Sequence, residues 1–415
     1  DLLVGNVEAG NEHAYGLLSA SRAESGNYED GGGREVHSRY LRWNSNALLG
    51  WTPTENTRFT ISGARSDGEA AYADRSMDGS TFARENAGVS FSLARPDQFV
   101  RKVEAQAFYN YVDHVMDNYS LREFMPSMMM ANNPDRRTSG ARVSLDLSRD
   151  AVGSTLGVEM QENRHTGRST SNQMGDPYQQ KQRVEDARFR VVGLFGEASW
   201  QLSEDQKLIA CARADAWYAR DNRATRANNQ PNPTYRDERD ETLTSGFARY
   251  ERDVRPLSST FYAGVGHVER FPDYWEITAG SESLASLSAF DTATEKTTQL
   301  DAGFIYRSNR LEMSFAGFYN QVEDFILLQS GVMKGARSTT VTRNVDAITF
   351  GAELDLAYQL AEGWNVTGAA AYTRGKNDTD DLPLAQIPAL ELRAGLNYDA
   401  ARWSAGMLVR SVADQ

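Results

Sequence analysis

One cysteine, Cys211, serves the whole 415-residue chain. That excludes an internal disulfide and any metal site built only from thiolates. Basic residues are in deficit: 44 Lys and Arg against 57 Asp and Glu leave a formal charge of −13. The balance argues against a nucleic-acid partner and suits the attraction of cations. No apolar run approaches the ~20 residues of a transmembrane helix. A membrane β-barrel stays open, because its strands need only ~9–11 residues, apolar at alternate positions. Enzyme signatures are missing as well: the sequence has no G-x-S-x-G, no H-E-x-x-H and no P-loop, and it is not expected to be an enzyme. No charged leader opens the chain. Asp1-Leu2-Leu3-Val4-Gly5 reads as the tail of a strand, and Leu408 to Gln415 stops in or just after another, so a fragment of a longer protein is expected.

What is present is alternation. Turn signals and period-two patterning divide the chain into about 17 strand candidates. Long polar loops are expected near 24–34, 66–83, 114–136, 164–186, 221–240, 271–294, 326–340 and 376–387. Short turns such as Arg95-Pro96-Asp97, Ser148-Arg149-Asp150 and Ala361-Glu362-Gly363 fall between them without a break. Long and short connections that alternate predict an all-β fold, a transmembrane antiparallel up-and-down β-barrel with its long loops at one end. A soluble sandwich or propeller has no reason to alternate loop length.

The strands agree with this. Phe350, Ala352, Leu354, Leu356 and Tyr358 oppose Glu353, Asp355 and Gln359, and Leu392, Ala394, Leu396 and Tyr398 oppose Glu391, Arg393 and Asn397. One face suits lipid and the other a wet or filled lumen. Four of the seven tryptophans, Trp51, Trp200, Trp364 and Trp403, lie near short turns, where an aromatic girdle would sit. Residues 1–415 are read as one partial barrel domain.

The most unusual stretch runs from 108 to 137. It holds His114 and five of the eleven methionines: Met116, Met125, Met128, Met129 and Met130. In the strand pattern Val103, Ala105, Ala107, Tyr109 and Tyr111 share the lipid-suited face. Glu104, Gln106, Phe108, Asn110, Val112, His114 and Met116 share the other, which places the last two ~6–7 Å apart. Methionines commonly fill gaps in apolar surfaces. A thioether and an imidazole on one polar face are also a donor set suited to copper.

Arg270-Phe271-Pro272-Asp273-Tyr274-Trp275-Glu276 and Asn344 to Glu353 look like TonB-dependent outer-membrane receptors in general. Asp113-His114-Val115-Met116-Asp117-Asn118, the Met-rich Phe124 to Met130 and Asn132-Asn133-Pro134-Asp135-Arg136-Arg137 together resemble the TonB-dependent outer-membrane copper receptors of the OprC type. The resemblance runs along the chain. It implies a roughly 22-stranded barrel closed by an N-terminal plug, in the outer membrane of a Gram-negative bacterium. Copper would be held between a Cys-x-x-x-Met pair on the plug and a His-x-Met pair on the barrel, here His114 and Met116. Transport would be driven by the TonB complex acting through the plug. The plug pair has no counterpart in this chain, and Cys211, between Ile209 and Arg213, is expected to be a small packed residue. The alternative is a TonB-dependent receptor for another metal chelate or siderophore, with the methionines as loop packing.

Weaker candidates are Tyr28 to Gly33 and Asp378-Thr379-Asp380-Asp381, both read as turn and solvated-loop chemistry. His13, His37, His165 and His267 have no ligand partner at metal spacing.

Overall fold

The computed structural model describes residues 1–123, 128–225, 231–278, 280–281, 288–334 and 337–414. Among them are eighteen strands of nine residues or more and one α-helical turn, Tyr274–Thr278. No helix among these residues is long and apolar enough to cross a membrane. The chain divides into two compact units.

The first unit comprises Asp1–Leu147, Leu156–Leu194 and Ala216–Glu241. Its strands Leu2–Gly10, Ala14–Ser25, Tyr40–Thr54, Thr57–Ala70, Asp78–Ala94, Val100–Asp117 and Ala131–Arg149 form an antiparallel meander, each paired with the next. Short connections at 11–13, 55–56 and 95–99 alternate with longer ones at 26–39, 71–77 and 118–130. Direction reverses at every turn, so the short turns share one edge of the sheet and the long loops the other.

The second unit comprises Ser148–Thr155, Phe195–Asp215 and Thr242–Gln415. From Glu238–Val254 it continues through Ser259–Arg270, Glu295–Arg307, Leu311–Lys334, Arg337–Ala361, Trp364–Asn377, Glu391–Asp399 and Ser404–Val412, again antiparallel and in order. The loop 271–294 carries the helical turn, and its Phe271, Ile277, Ala289 and Phe290 are all buried. Arg270 anchors it by ion pairs to Glu276 at 2.8 Å and Glu295 at 3.1 Å. Asn344 anchors its far end, accepting from the Ala293 N–H at 2.8 Å and donating to the Ala293 carbonyl at 3.1 Å.

Several stretches read as loops in the sequence are strands. The polar region 326–340 is taken up largely by the arms Leu311–Lys334 and Arg337–Ala361, which pair from Leu311↔Tyr358 to Lys334↔Arg337 with two register shifts. Likewise Thr57–Ala70 and Asp78–Ala94 leave only 71–77 between them. Polar residues such as Gln329, Ser330, Lys334, Arg337 and Ser338 interrupt the period-two signal, yet the backbone ladder still forms. These strands are longer than the ~9–11 residues that cross a bilayer. Val100–Asp117, for example, has 18 residues.

Each unit exposes a row of apolar side chains on one face. Leu49, Ile61, Val89, Val143 and Leu145 are exposed in the first, and Val265, Leu300, Phe315, Phe350 and Leu354 in the second. Exposed apolar surface on this scale marks a face that meets lipid rather than water. Aromatic clusters close these rows beside the short turns: Trp51–Phe59–Phe91 with ring centroids 5.3 and 4.8 Å apart, and Trp364–Tyr398–Trp403 at 4.7 and 5.0 Å. Trp51, Trp364 and Trp403 thus stand where a girdle residue would.

Candidate metal site

His114 lies three residues before Asp117, the loop end of Val100–Asp117. Met116 is two positions on, and strand alternation puts both side chains on one face. That face also bears Glu104 and Gln106, and a cleft of about 360 Å³ runs there past Thr60, Ser90 and Ser144. The His114 ring stacks on Phe82 of the neighbouring strand, with centroids 4.5 Å apart and planes inclined by 29°. Its Nε2 is buried and has no hydrogen-bond partner. A buried imidazole nitrogen left unpaired is costly unless something else occupies its lone pair. Burial holds the pKa of His114 below the ordinary histidine value, and Arg84 adds to this while Asp113 opposes it. The neutral form, the one that can ligate a metal, is therefore favoured.

Met116 pairs with Gly79 on one side and Asn132 on the other. Gly79 is there for space: a Cβ at that position would come 2.1 Å from the Phe82 ring. Glycine lets Phe82 lie flat, and Phe82 supports the imidazole. A register shift between Gly79 and Thr81 sets the two strands in this arrangement.

The loop that follows is held by its polar residues. Asp117 is 2 % exposed and accepts from the Tyr119 and Ser120 N–H groups and the Ser80 hydroxyl, at 3.0, 2.7 and 2.6 Å. Asn118 clamps the returning chain: its Oδ1 accepts from the Met130 N–H at 2.8 Å and its Nδ2 donates to the Met128 carbonyl at 3.0 Å. Arg122 reaches Asp78 at 2.8 Å through Nε, and His37 contacts the same carboxylate at 3.0 Å. Burial alone would raise the Asp78 pKa, but Arg122, His37 and the Tyr72 N–H together hold it down at about 2.

Met128 and Met130 are exposed and Met129 is half-buried, while Met125 lies outside the described residues. A methionine missed in the sequence joins them. The Gln173 N–H donates to the Met129 carbonyl at 2.9 Å, which brings the exposed Met174 alongside. Only sulfur content in the loop 171–183 could have flagged it, because the contact spans more than forty residues of chain.

One expectation is corrected. Tyr109 is exposed on the apolar face, but Tyr111 is not a lipid contact: its hydroxyl donates to Asp135 at 3.2 Å and Arg137 lies over its ring. The charged residues Asp135, Arg137 and Arg183 make that face polar at this level. Cys211 is a free, half-buried thiol lining a cleft with Gly246, Gly264 and Gly266, away from His114 in sequence and in unit. Among the described residues no three His, Cys, Asp or Glu side chains converge to hold an ion. Asp30 is turn chemistry, as read: its Oδ1 accepts from the Gly32 and Arg34 N–H groups, and Gly33 adopts φ 76°.

The antiparallel meander, the two-faced strands and the alternating connections are those of an integral membrane β-barrel. The family model described as TonB dependent receptor-like, β-barrel matches residues 20–414, and the chain belongs to that family. It is similar to the solved structure of copper transporter OprC, at 41% identity and a TM-score of 0.94, over 99% of this chain and 64% of that one. The chain thus spans less than two-thirds of that relative's length. It also resembles, in fold alone, the Serratia marcescens hemophore receptor HasR (18% identity, TM-score 0.79, 98% of this chain and 70% of that chain) and the FrpB iron transporter from Neisseria meningitidis (14%, 0.75, 99% and 66%). The comparison with curated proteins returned no match. The family is one of outer-membrane transporters and receptors of Gram-negative bacteria, not an enzyme class.

Proposed function

We propose that this chain is the barrel part of an outer-membrane receptor for TonB-dependent copper uptake, and that His114 and Met116 supply the barrel's copper ligands. The observation that carries the reading is the buried, unpartnered Nε2 of His114, two positions from a thioether on the same face. A neutral imidazole with a thioether suits copper, and the thioether favours the reduced ion. Identity of 41% to a protein described as a copper transporter supports the same cargo. In a barrel of this family the polar face lines the lumen, so both ligands would meet an ion held within the pore. Two neutral ligands alone make a weak, unselective site. Tight binding would draw further ligands from outside this chain, with the TonB complex as the partner that drives release inward. The exposed thioethers of Met128, Met130 and Met174 would gather ions above the site.

Competition binding on the purified full-length receptor tests the cargo, using Cu(I), Ag(I) as its redox-silent analogue, Zn(II) and a ferric chelate. Copper and silver should bind and displace each other, while zinc and the chelate should not compete. Displacement of silver by the ferric chelate would overturn the assignment.

A further inference from the structure

Opposite His114 stands a proline. The pairs Asp113↔Asp135 and Met116↔Asn132 set the register of Val100–Asp117 against Ala131–Arg149, which leaves His114 facing Pro134. Proline has no N–H, so it cannot give the His114 carbonyl its ladder hydrogen bond. The side chain of Asn133 supplies the donor instead. Its Nδ2 donates to the His114 carbonyl at 3.0 Å and to Asp113 Oδ1 at 2.5 Å.

The orientation of that amide is fixed by chemistry. Asn133 Oδ1 accepts from Arg168 Nε at 2.8 Å and from Arg183 Nη2 at 2.9 Å. Arginine only donates and a carboxylate only accepts, so the NH₂ end can face only Asp113 and His114. Arg183 is itself held, bridging Asp113 and Asp135 at 2.9 Å each. Asn133 is fully buried. Arg168 continues to the Gln179 carbonyl at 2.9 Å, so the loop 171–183 is tied through one amide to the backbone of His114.

We propose that Asn133 is a positioning residue for metal binding: it replaces the ladder bond lost at Pro134 and fixes the peptide from which the His114 imidazole projects. The inference rests on the reading of His114 as a ligand. Arg168 and Arg183 hold the Asn133 amide in its working orientation. Partners one step removed from a ligand commonly change metal affinity by ~10–100-fold, and Asn133 belongs in that range.

The test uses the full-length receptor loaded with copper and read by affinity and by X-ray absorption at the copper edge. Asn133→Ala should weaken binding ~10–100-fold and blur the imidazole outer-shell scattering while sulfur scattering persists. Adding Pro134→Ala restores a backbone N–H to the His114 carbonyl, and the double variant should recover affinity and the imidazole signature. Simple destabilisation of the barrel predicts no such rescue. Should Asn133→Ala fail to fold, Arg168→Gln loosens the same amide and should give a smaller loss in the same direction. Wild-type affinity in Asn133→Ala or Arg168→Gln, with His114→Ala impaired, would overturn the positioning role alone. Wild-type affinity in His114→Ala would overturn the ligand reading beneath it.

Discussion

His114 combines three features that ordinary packing does not require together: an aromatic platform, a buried free nitrogen and a thioether neighbour. Their interdependence gives a test at a residue with no donor atom. Gly79→Ala drives a methyl group into the Phe82 ring, and the displaced ring no longer supports the imidazole. Copper affinity should fall about 10-fold, or ~1.4 kcal/mol, while every ligand remains; unchanged affinity in a copper titration would show that Phe82 is incidental. Titration gives a second test. With its pKa lowered, His114 stays neutral below the ~6.5 of a free histidine. Proton competition should therefore leave copper affinity level through pH 6.5 and reduce it only at lower pH. A decline already centred at 6.5 in binding isotherms would contradict the burial of the site.

Among the elements, the loop 118–130 bears the methionines, and Asp78 is its mooring. The folded pKa of this carboxylate is depressed to about 2, so its contribution is fully present above the ordinary carboxylate range and is lost as pH falls through about 2. Hydrogen exchange at Tyr119 to Arg122 should stay slow at pH 5 and accelerate in strong acid; Arg122→Gln should show fast exchange already at pH 5. Replacing Met128, Met129 and Met130 by leucine should slow copper capture from dilute solution without changing the copper held at saturation. A halved stoichiometry would make these residues ligands of the tight site. Strands such as 350–360 and 391–399 were legible because a lipid face imposes period two on the sequence. The stretch 326–340 was not, since Gln329, Ser330, Lys334, Arg337, Ser338 and Thr339 interrupt the period there. The pairing of His114 with Met116 needed only parity, whereas the Asn133 latch joins Asp113 to Arg183 across 70 residues, which no local pattern encodes. Pro134 fell within the stretch 114–136 read as a long loop and is a gap in a ladder.

For the molecule as a whole, membership of the TonB-dependent family makes the energy source a test. Cells that express the full-length receptor should accumulate copper at limiting concentration, and loss of TonB should abolish the gain. Undiminished uptake without TonB would indicate a passive pore. The central claim is narrower: the barrel contributes His114 and Met116 to one tightly held copper. Metal analysis of the purified full-length receptor after copper loading and exhaustive dialysis addresses it directly. The wild type should retain one copper per receptor, Met116→Ala should retain almost none, and His114→Ala should fall between. One tightly held copper in Met116→Ala would contradict the account and return the methionines to packing.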